Sequence, residues 1–275
     1  MTDQPTLVLG GTGKTGRRVV TRLTRRDLPV RVGSRTAGVP FDWQRPDTWP
    51  AALDGVGAVY ISYFPDIAAP GAADAVGEFA RVAVTSGARR LVLLSGRGEE
   101  RARQGEQAVR DSGGEVTLVR CAWFNQNFSE DFLLDAVLAG EVALPAGEVA
   151  EPFVDADDIA EVAAMALTED GHGGELYELT GPRLLTFSDA VGEIAAATGR
   201  PIQYIQVSLE DYAAGATAHG VPADVVAALS HVFGEVLDGR NAHLCDGVQR
   251  ALGRPPRDFT DYVRDTAATG VWSPR

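Results

Sequence analysis

The chain is nearly without lysine. Lys14 is the only one among 275 residues, and every other cation is arginine, so an amine is available at one place only. Cysteine is scarce too. Cys121 and Cys245 form no motif, which excludes a disulfide framework and suits a reducing cytoplasm. The four histidines, His172, His219, His231 and His243, have no metal-ligand spacing, and no metal is expected. Positive charge is in deficit. The net charge of −13 and a pI near 4.7 exclude a nucleic-acid partner and disfavour an anionic membrane. A run of about 18 apolar residues is missing, as is a cationic stretch before an apolar one, so neither a membrane span nor secretion is expected. There is no repeat, low-complexity tract or long linker. A cytoplasmic protein with a small-molecule substrate fits these absences, and an oligomer is compatible with them.

Glycine is plentiful where it counts. Leu7-Val8-Leu9 runs into Gly10-Gly11-Thr12-Gly13-Lys14-Thr15-Gly16, and an amphipathic helix follows. In this G-x-x-G-x-x-G spacing, Gly10 allows a tight turn out of the strand. Gly13 removes a Cβ where a pyrophosphate approaches, and Gly16 allows close packing of helix on sheet. The helix N-terminus offers N–H groups and partial positive charge to phosphates. Dinucleotide binding by Gly10, Thr12, Gly13, Lys14, Thr15 and Gly16 is the reading, against a plain tight turn.

The second strand, Pro29 to Arg35, ends without the acidic residue that meets a ribose 2′-hydroxyl. Ser34 and Arg35 stand there instead. A guanidinium fork suits a phosphate dianion, so the expected cofactor is NADP, with NAD as the alternative and a solvated loop arginine as the bland reading of Arg35.

Strand patterns fall near 6–10, 29–34, 57–62, 90–95 and 115–120, and helical ones near 14–26, 69–86 and 100–112. This alternation predicts an α/β fold with a Rossmann-type doubly wound parallel sheet. Phe153-Val154 suggests a short strand, and Asp155 a cap for a helix near 156–168. Beyond Gly181-Pro182 come helices near 187–198, 209–217, 222–237, 243–252 and 257–268 and a strand near 202–206. The expected organisation is an NAD(P)-binding domain over 1–182 and a smaller, mostly helical substrate lobe over 183–275, with 121–150 contributing to a cleft at the strand ends.

Over nearly its full length the chain resembles the NmrA-like group of atypical short-chain dehydrogenases, in particular its NAD(P)H:quinone oxidoreductase type 2 branch. The resemblance rests on the glycine segment, Asp42-Trp43, Trp49-Pro50-Ala51-Ala52-Leu53, Val59-Tyr60-Ile61, Leu93-Leu94-Ser95-Gly96, the run Arg120 to Phe128, the run Pro152 to Ala160, and Tyr177 to Pro182. Cys121 stands where relatives often carry proline. The resemblance implies NAD(P) binding and often a quinone or aromatic carbonyl substrate. It also implies, for some members, a redox sensor without turnover. By the same resemblance, Asp42 would meet the adenine edge, and Ser62 and Tyr63, with Phe64, would lie along the cofactor. Ser95 would take the place of the superfamily's catalytic serine, and Trp123 and Asn127 would border the nicotinamide.

The superfamily's Tyr-x-x-x-Lys acid is missing. No tyrosine lies between Phe64 and Leu176, and the helix after Ser95 offers Arg97, Glu99, Glu100, Arg101, Arg103, Gln104 and Glu106 instead. A ketone needs an acid as its alkoxide forms, a contribution of about 10²–10⁴-fold. A quinone needs it less, because hydride addition gives a delocalised anion. Trp123, Phe124 and Phe128 either wall a flat pocket or fill the joint between domain and lobe. Asn125, Gln126 and Asn127 either hold a carbonyl oxygen or cap the helix near Ser129. Glu106 is either a cleft residue or a solvated helix glutamate. His172 reads as a surface loop residue, and Asp155, Asp157 and Asp158 as helix-capping carboxylates. The function expected is NADPH-dependent hydride transfer to a quinone or polycyclic aromatic carbonyl, with a non-catalytic NADP-binding sensor as the alternative.

Overall fold

The computed structural model describes residues 4–36 and 38–274. Along the chain run β1 (Thr6–Leu9), α1 (Gly16–Arg25), β2 (Val30–Ser34), β3 (Val39–Pro40), α2 (Trp49–Leu53), β4 (Ala58–Ile61), α3 (Ala72–Thr85), β5 (Arg90–Gly96), α4 (Glu100–Arg110) and β6 (Glu115–Cys121). They are followed by α5 (Asn127–Glu130), α6 (Leu134–Ala139), β7 (Glu141–Leu144), β8 (Ala150–Glu151), α7 (Ala156–Thr168), β9 (Leu176–Leu179), β10 (Leu185–Thr186) and α8 (Phe187–Thr198). The remainder is β11 (Gln203–Gln206), α9 (Leu209–Ala218), α10 (Ala223–Val236), α11 (Gly247–Leu252) and α12 (Phe259–Ala268).

Two compact units emerge. The first comprises Met1–Cys121, Ala156–Leu179 and Asp246–Pro255. Its seven-stranded sheet has the order β3-β2-β1-β4-β5-β6-β9, and every neighbouring pair is parallel. Apolar strands such as Leu91-Val92-Leu93 are buried on both faces, which the crossover helices of a parallel sheet require. The expected Rossmann-type sheet is thus present. The chain reverses direction of winding between β1 and β4, the crevice where such sheets take ligands. β9 extends the sheet by one strand that the sequence patterns did not suggest.

α1 is braced against α7 by ion pairs. Arg22 bonds Asp157 at 2.8 Å and Glu161 at 2.7 Å, while Arg26 reaches Glu161 at 2.7 Å. Burial pushes the Asp157 carboxyl up, but its bond to Arg22 and the charges of Arg18 and Arg22 win and hold it below its usual range. Surface pairs contribute up to about 1 kcal/mol each, and these are partly buried and joined in a network.

The second unit comprises Ala122–Asp155, Thr180–Cys245 and Pro256–Arg275. It is mostly helical, with two small sheets in which β8 pairs antiparallel with β10 and β7 parallel with β11. Phe128, Phe153, Phe187 and Phe259 are fully or almost fully buried at its centre. Phe153-Val154 forms no strand, only a bridge from Val154 to Phe124. Among the described residues no helix is long and apolar enough to cross a membrane, and no group of His, Cys, Asp and Glu could hold a metal ion.

Candidate active site

The glycine loop leaves β1 with Gly10 in the left-handed region at φ +63°. Gly13 closes the turn by donating its N–H to the Gly10 carbonyl at 2.8 Å. A Cβ on Gly13 would meet only that carbonyl, at 3.2 Å, and otherwise stand in open space. Thr12 and Gly13 are exposed, so the cradle presents bare backbone where a pyrophosphate fits. Gly16 differs from expectation: its Cβ would lie 2.2 Å from Gly10 O, so its smallness serves the loop's own closure rather than helix–sheet packing. Thr15 is buried and accepts a hydrogen bond from the Tyr60 hydroxyl at 2.9 Å, which ties the loop to β4. Burial pushes the Tyr60 hydroxyl well above its ordinary range, so Tyr60 is structural.

Ser62, just past β4, lies beside the loop: a Cβ on Gly10 would stand 3.4 Å from Ser62 Cβ. Tyr63 packs on Trp43 with ring centroids 4.9 Å apart, and Trp43 in turn meets Phe41 and Phe79. At the end of β2, Ser34 accepts the N–H of Thr36 at 3.2 Å. Arg35 is exposed, and its guanidinium lies 5.6 Å over the ring of Phe64, itself 68% exposed. Arg35 has no carboxylate partner among the described residues. Asp42 folds into a local turn, its carboxylate accepting the Gln44 N–H at 3.0 Å while its carbonyl accepts from the Trp49 indole at 3.0 Å. All the residues expected to hold the cofactor therefore stand along the carboxyl edge of one sheet, in the first unit.

Behind that edge runs a buried polar chain. Ser95 donates to Glu106 at 2.6 Å. Arg120 grips Glu106 in a fork at 2.9 and 2.5 Å and also bonds Glu178 at 2.9 Å. The bond to Glu106 first, then Glu178, against the cost of burial, holds the Arg120 guanidinium above its ordinary range. Glu106 is only 4% exposed. It is neither a solvated glutamate nor a cleft residue but a clamp between α4 and β6. The Ser95 hydroxyl, expected to be catalytic, gives its proton to that clamp, so it has none to offer a substrate.

Glu99 lies at the exit of β5 and folds back on the strand end. A Cβ on Gly96 would stand 2.6 Å from Glu99 Oε1. Glu99 Oε2 is buried with no hydrogen-bond partner. Burial, and then the neighbouring Asp66 charge, push this carboxyl up to about 7. In the sequence Glu99 is one of several polar residues in a row, and nothing local singles it out.

The residues expected on the substrate side lie in the second unit. Trp123 is half-buried, stacked on Phe233 at 5.6 Å and edge-on to Phe187 at 5.4 Å. Phe124 is half-buried and forms the bridge to Val154. Phe128 is fully buried against Phe153, at 5.7 Å, and Phe259, at 5.8 Å. It fills the core and walls no open pocket. Trp123 packs against the same core, since the chain turns at 125–126 between the two residues. Nor do the amides cap that helix through their side chains: Gln126, at the N-cap of α5, donates instead to Asp155 at 2.7 Å. Asn127 is mostly buried at the start of α5, its N–H donating to the Phe124 carbonyl at 3.1 Å. The three aspartates hold arginines: Asp155 pairs with Arg257 at 2.8 Å, Asp157 with Arg22 at 2.8 Å and Asp158 with Arg254 at 2.7 Å. His172 is half-buried and bonds the Tyr177 hydroxyl at 2.8 Å, so it is more than a loop decoration.

No family model matches the chain. It is 32% identical over 286 residues to the NAD(P)H azoreductase of Xenophilus azovorans, spanning 95% of this chain and 98% of that protein. It is 31% identical over 287 residues to an uncharacterized oxidoreductase, YesF, of Bacillus subtilis, spanning 99% of each. Its fold is that of the NADPH-dependent quinone oxidoreductase QOR2 of Escherichia coli, solved with NADPH, at a TM-score of 0.79 and 21% identity over 94% of this chain and 99% of that one. With a glycine-cradled, parallel seven-stranded sheet and relatives matched from end to end, the chain belongs to the NmrA-like family of atypical short-chain dehydrogenases/reductases.

Proposed function

We propose that the protein is an NADPH-dependent oxidoreductase that passes hydride to a quinone or a polycyclic aromatic carbonyl. The observation that carries this reading is the carboxyl edge of the first unit, where a backbone cradle at Gly10–Gly13 is joined by an arginine with no carboxylate to neutralise it. The cradle suits a pyrophosphate, and Arg35 suits the additional phosphate of NADPH. Relatives named as nicotinamide-dependent reductases support the reaction class, and the fold match to a quinone oxidoreductase supports the acceptor class.

Bound there, NADPH supplies the hydride, and the protein contributes orientation and charge placement. In this reading Asn127 donates an amide N–H to the acceptor oxygen, and Trp123 and Phe124 offer aromatic faces to a flat acceptor. A quinone stabilises its own anion, whereas a simple ketone does not. NADPH oxidation should therefore be much faster with menadione than with cyclohexanone. Asn127→Ala should lower kcat/KM for menadione while leaving NADPH affinity intact. Equal rates on the two acceptors would contradict the quinone assignment. Tight NADPH binding with no turnover on any acceptor would make the chain a sensor instead.

The cofactor preference has its own test. Arg35→Ala should weaken NADPH by about 1.5–3 kcal/mol, the worth of a charged hydrogen bond, and leave NADH nearly unaffected. Fluorescence titration of both nucleotides reads this directly. Wild-type protein that binds NADH as tightly as NADPH would reduce Arg35 to a surface cation.

A further inference from the structure

We propose that Glu99 is the proton donor of the reduction, standing in for the tyrosine that the sequence lacks. The inference rests on the hydride-transfer reading above and adds a residue to it.

Position is the first argument. A doubly wound sheet binds a dinucleotide in two halves, one on each side of the switch point. Here the cradle lies at β1 and Arg35 at the end of β2, which gives the adenine half to β1–β3. The reacting half then falls to the carboxyl ends of β4 and β5. Glu99 folds over the last residue of β5, with Oε1 against Gly96.

Hydrogen bonding is the second. A carboxylate oxygen buried without a donor is costly, and taking up a proton removes that cost. Glu99 Oε2 is such an oxygen, and Glu99 makes no ion pair among the described residues. Its surroundings agree. Asp66, on the loop before α3, adds negative charge that disfavours ionisation. That loop is pinned to α4, because a Cβ on Gly105 would stand 3.0 Å from Ile67 Cδ1. Arg97, at the strand exit, acts on the Cys121 thiol, and burial keeps that thiol protonated. On α4, Arg103 faces Glu100 at 3.8 Å. Glu99 is only partly buried, so a solvent proton can replace the one given up.

Other candidates fail on geometry. Tyr60 is buried against Thr15, and Ser95 and Glu106 are locked with Arg120.

The step balances. The acceptor gains the hydride and its electron pair and becomes a phenolate-type monoanion. As that charge develops in the transition state, the Glu99 O–H bond breaks and its proton passes to the acceptor oxygen. A neutral hydroquinone results, and Glu99 is left as a carboxylate that takes one proton from solvent. Quinone, NADPH and one proton give hydroquinone and NADP⁺.

Two measurements on the whole protein test this. The first follows the Glu99 carboxyl by carbon-13 NMR across pH without ligand, using Glu99→Gln to assign the signal. Titration near 7 is expected, and an ordinary glutamate value would overturn the proposal. The second follows menadione reduction by NADPH against pH. Wild-type kcat/KM should fall as pH rises through about 7, because the donor form is lost. Glu99→Gln should lower it roughly 10²-fold, erase the pH dependence and keep NADPH affinity. A variant that retains the wild-type rate and pH limb would overturn the donor role while leaving the hydride reading intact. A wild-type protein that binds NADPH but reduces nothing would overturn both, whatever the carboxyl titration shows.

Discussion

Gly13→Val should yield a folded protein that no longer binds NADPH. Gly13 lies outside the left-handed region, so valine meets no backbone prohibition there. Its Cβ would touch one carbonyl at 3.2 Å and otherwise point outward over the exposed face of the loop. The branched side chain would then stand where the pyrophosphate must lie against bare backbone. Exclusion by about 2.8 kcal/mol or more means a loss of at least about 100-fold in affinity. Titration of NADPH fluorescence reads the loss, and a thermal melt checks the fold. Gly16→Val is the contrasting variant. With 2.2 Å between the added Cβ and Gly10 O, the loop itself cannot close, and stability should fall together with binding. An unchanged NADPH affinity in folded Gly13→Val would remove the loop from the site.

The second large effect concerns Arg120. Among the described residues, its guanidinium is the only cation that the hydrogen bonds place on Glu106, whose side chain is 5% exposed. Arg120→Ala leaves that carboxylate buried and unpaired, which costs about 3–5 kcal/mol. For a protein of this size the melting temperature should drop by roughly 10 °C. Arg120→Met with Glu106→Leu should recover much of the loss, since replacing a whole buried pair is far cheaper than breaking it. A differential scanning measurement of the single and double variants decides the matter. A single variant that melts with the wild type would mean that Glu106 finds water or is neutral, and that the clamp is dispensable.

The Glu106 case shows where sequence reading stops. Strand and helix alternation and the tight turn of the glycine loop were legible because each signal is local. A hydrophobic run, a tight turn or a strand end can be judged from a few neighbours. A glutamate on a polar helix looks solvated until the arginine that meets it, 14 positions on in another element, is known to point its way. The same holds for Glu99, whose proton affinity is set by burial and by a carboxylate on a different loop. Phe128 shows the same limit. Whether it walls a pocket or fills a core depends on the turn at 125–126 and on Phe153 and Phe259, which lie far along the chain. β9 escaped notice because four residues after a glycine pair give too short a pattern to separate from loop.

The interleaving of the two units bears on the order in which the chain is made. By the time synthesis reaches Cys121, six of the seven sheet strands exist. The seventh, β9, follows only after 122–155 and α7, and α11, which packs on β9, only after 180–245. Until β9 arrives, β6 is an open edge with unpaired backbone groups, the condition under which nascent sheets mispair or exchange strands between copies. The ribosome thus holds a nearly complete nucleotide fold whose last strand is in transit, and chaperone demand should concentrate in that window.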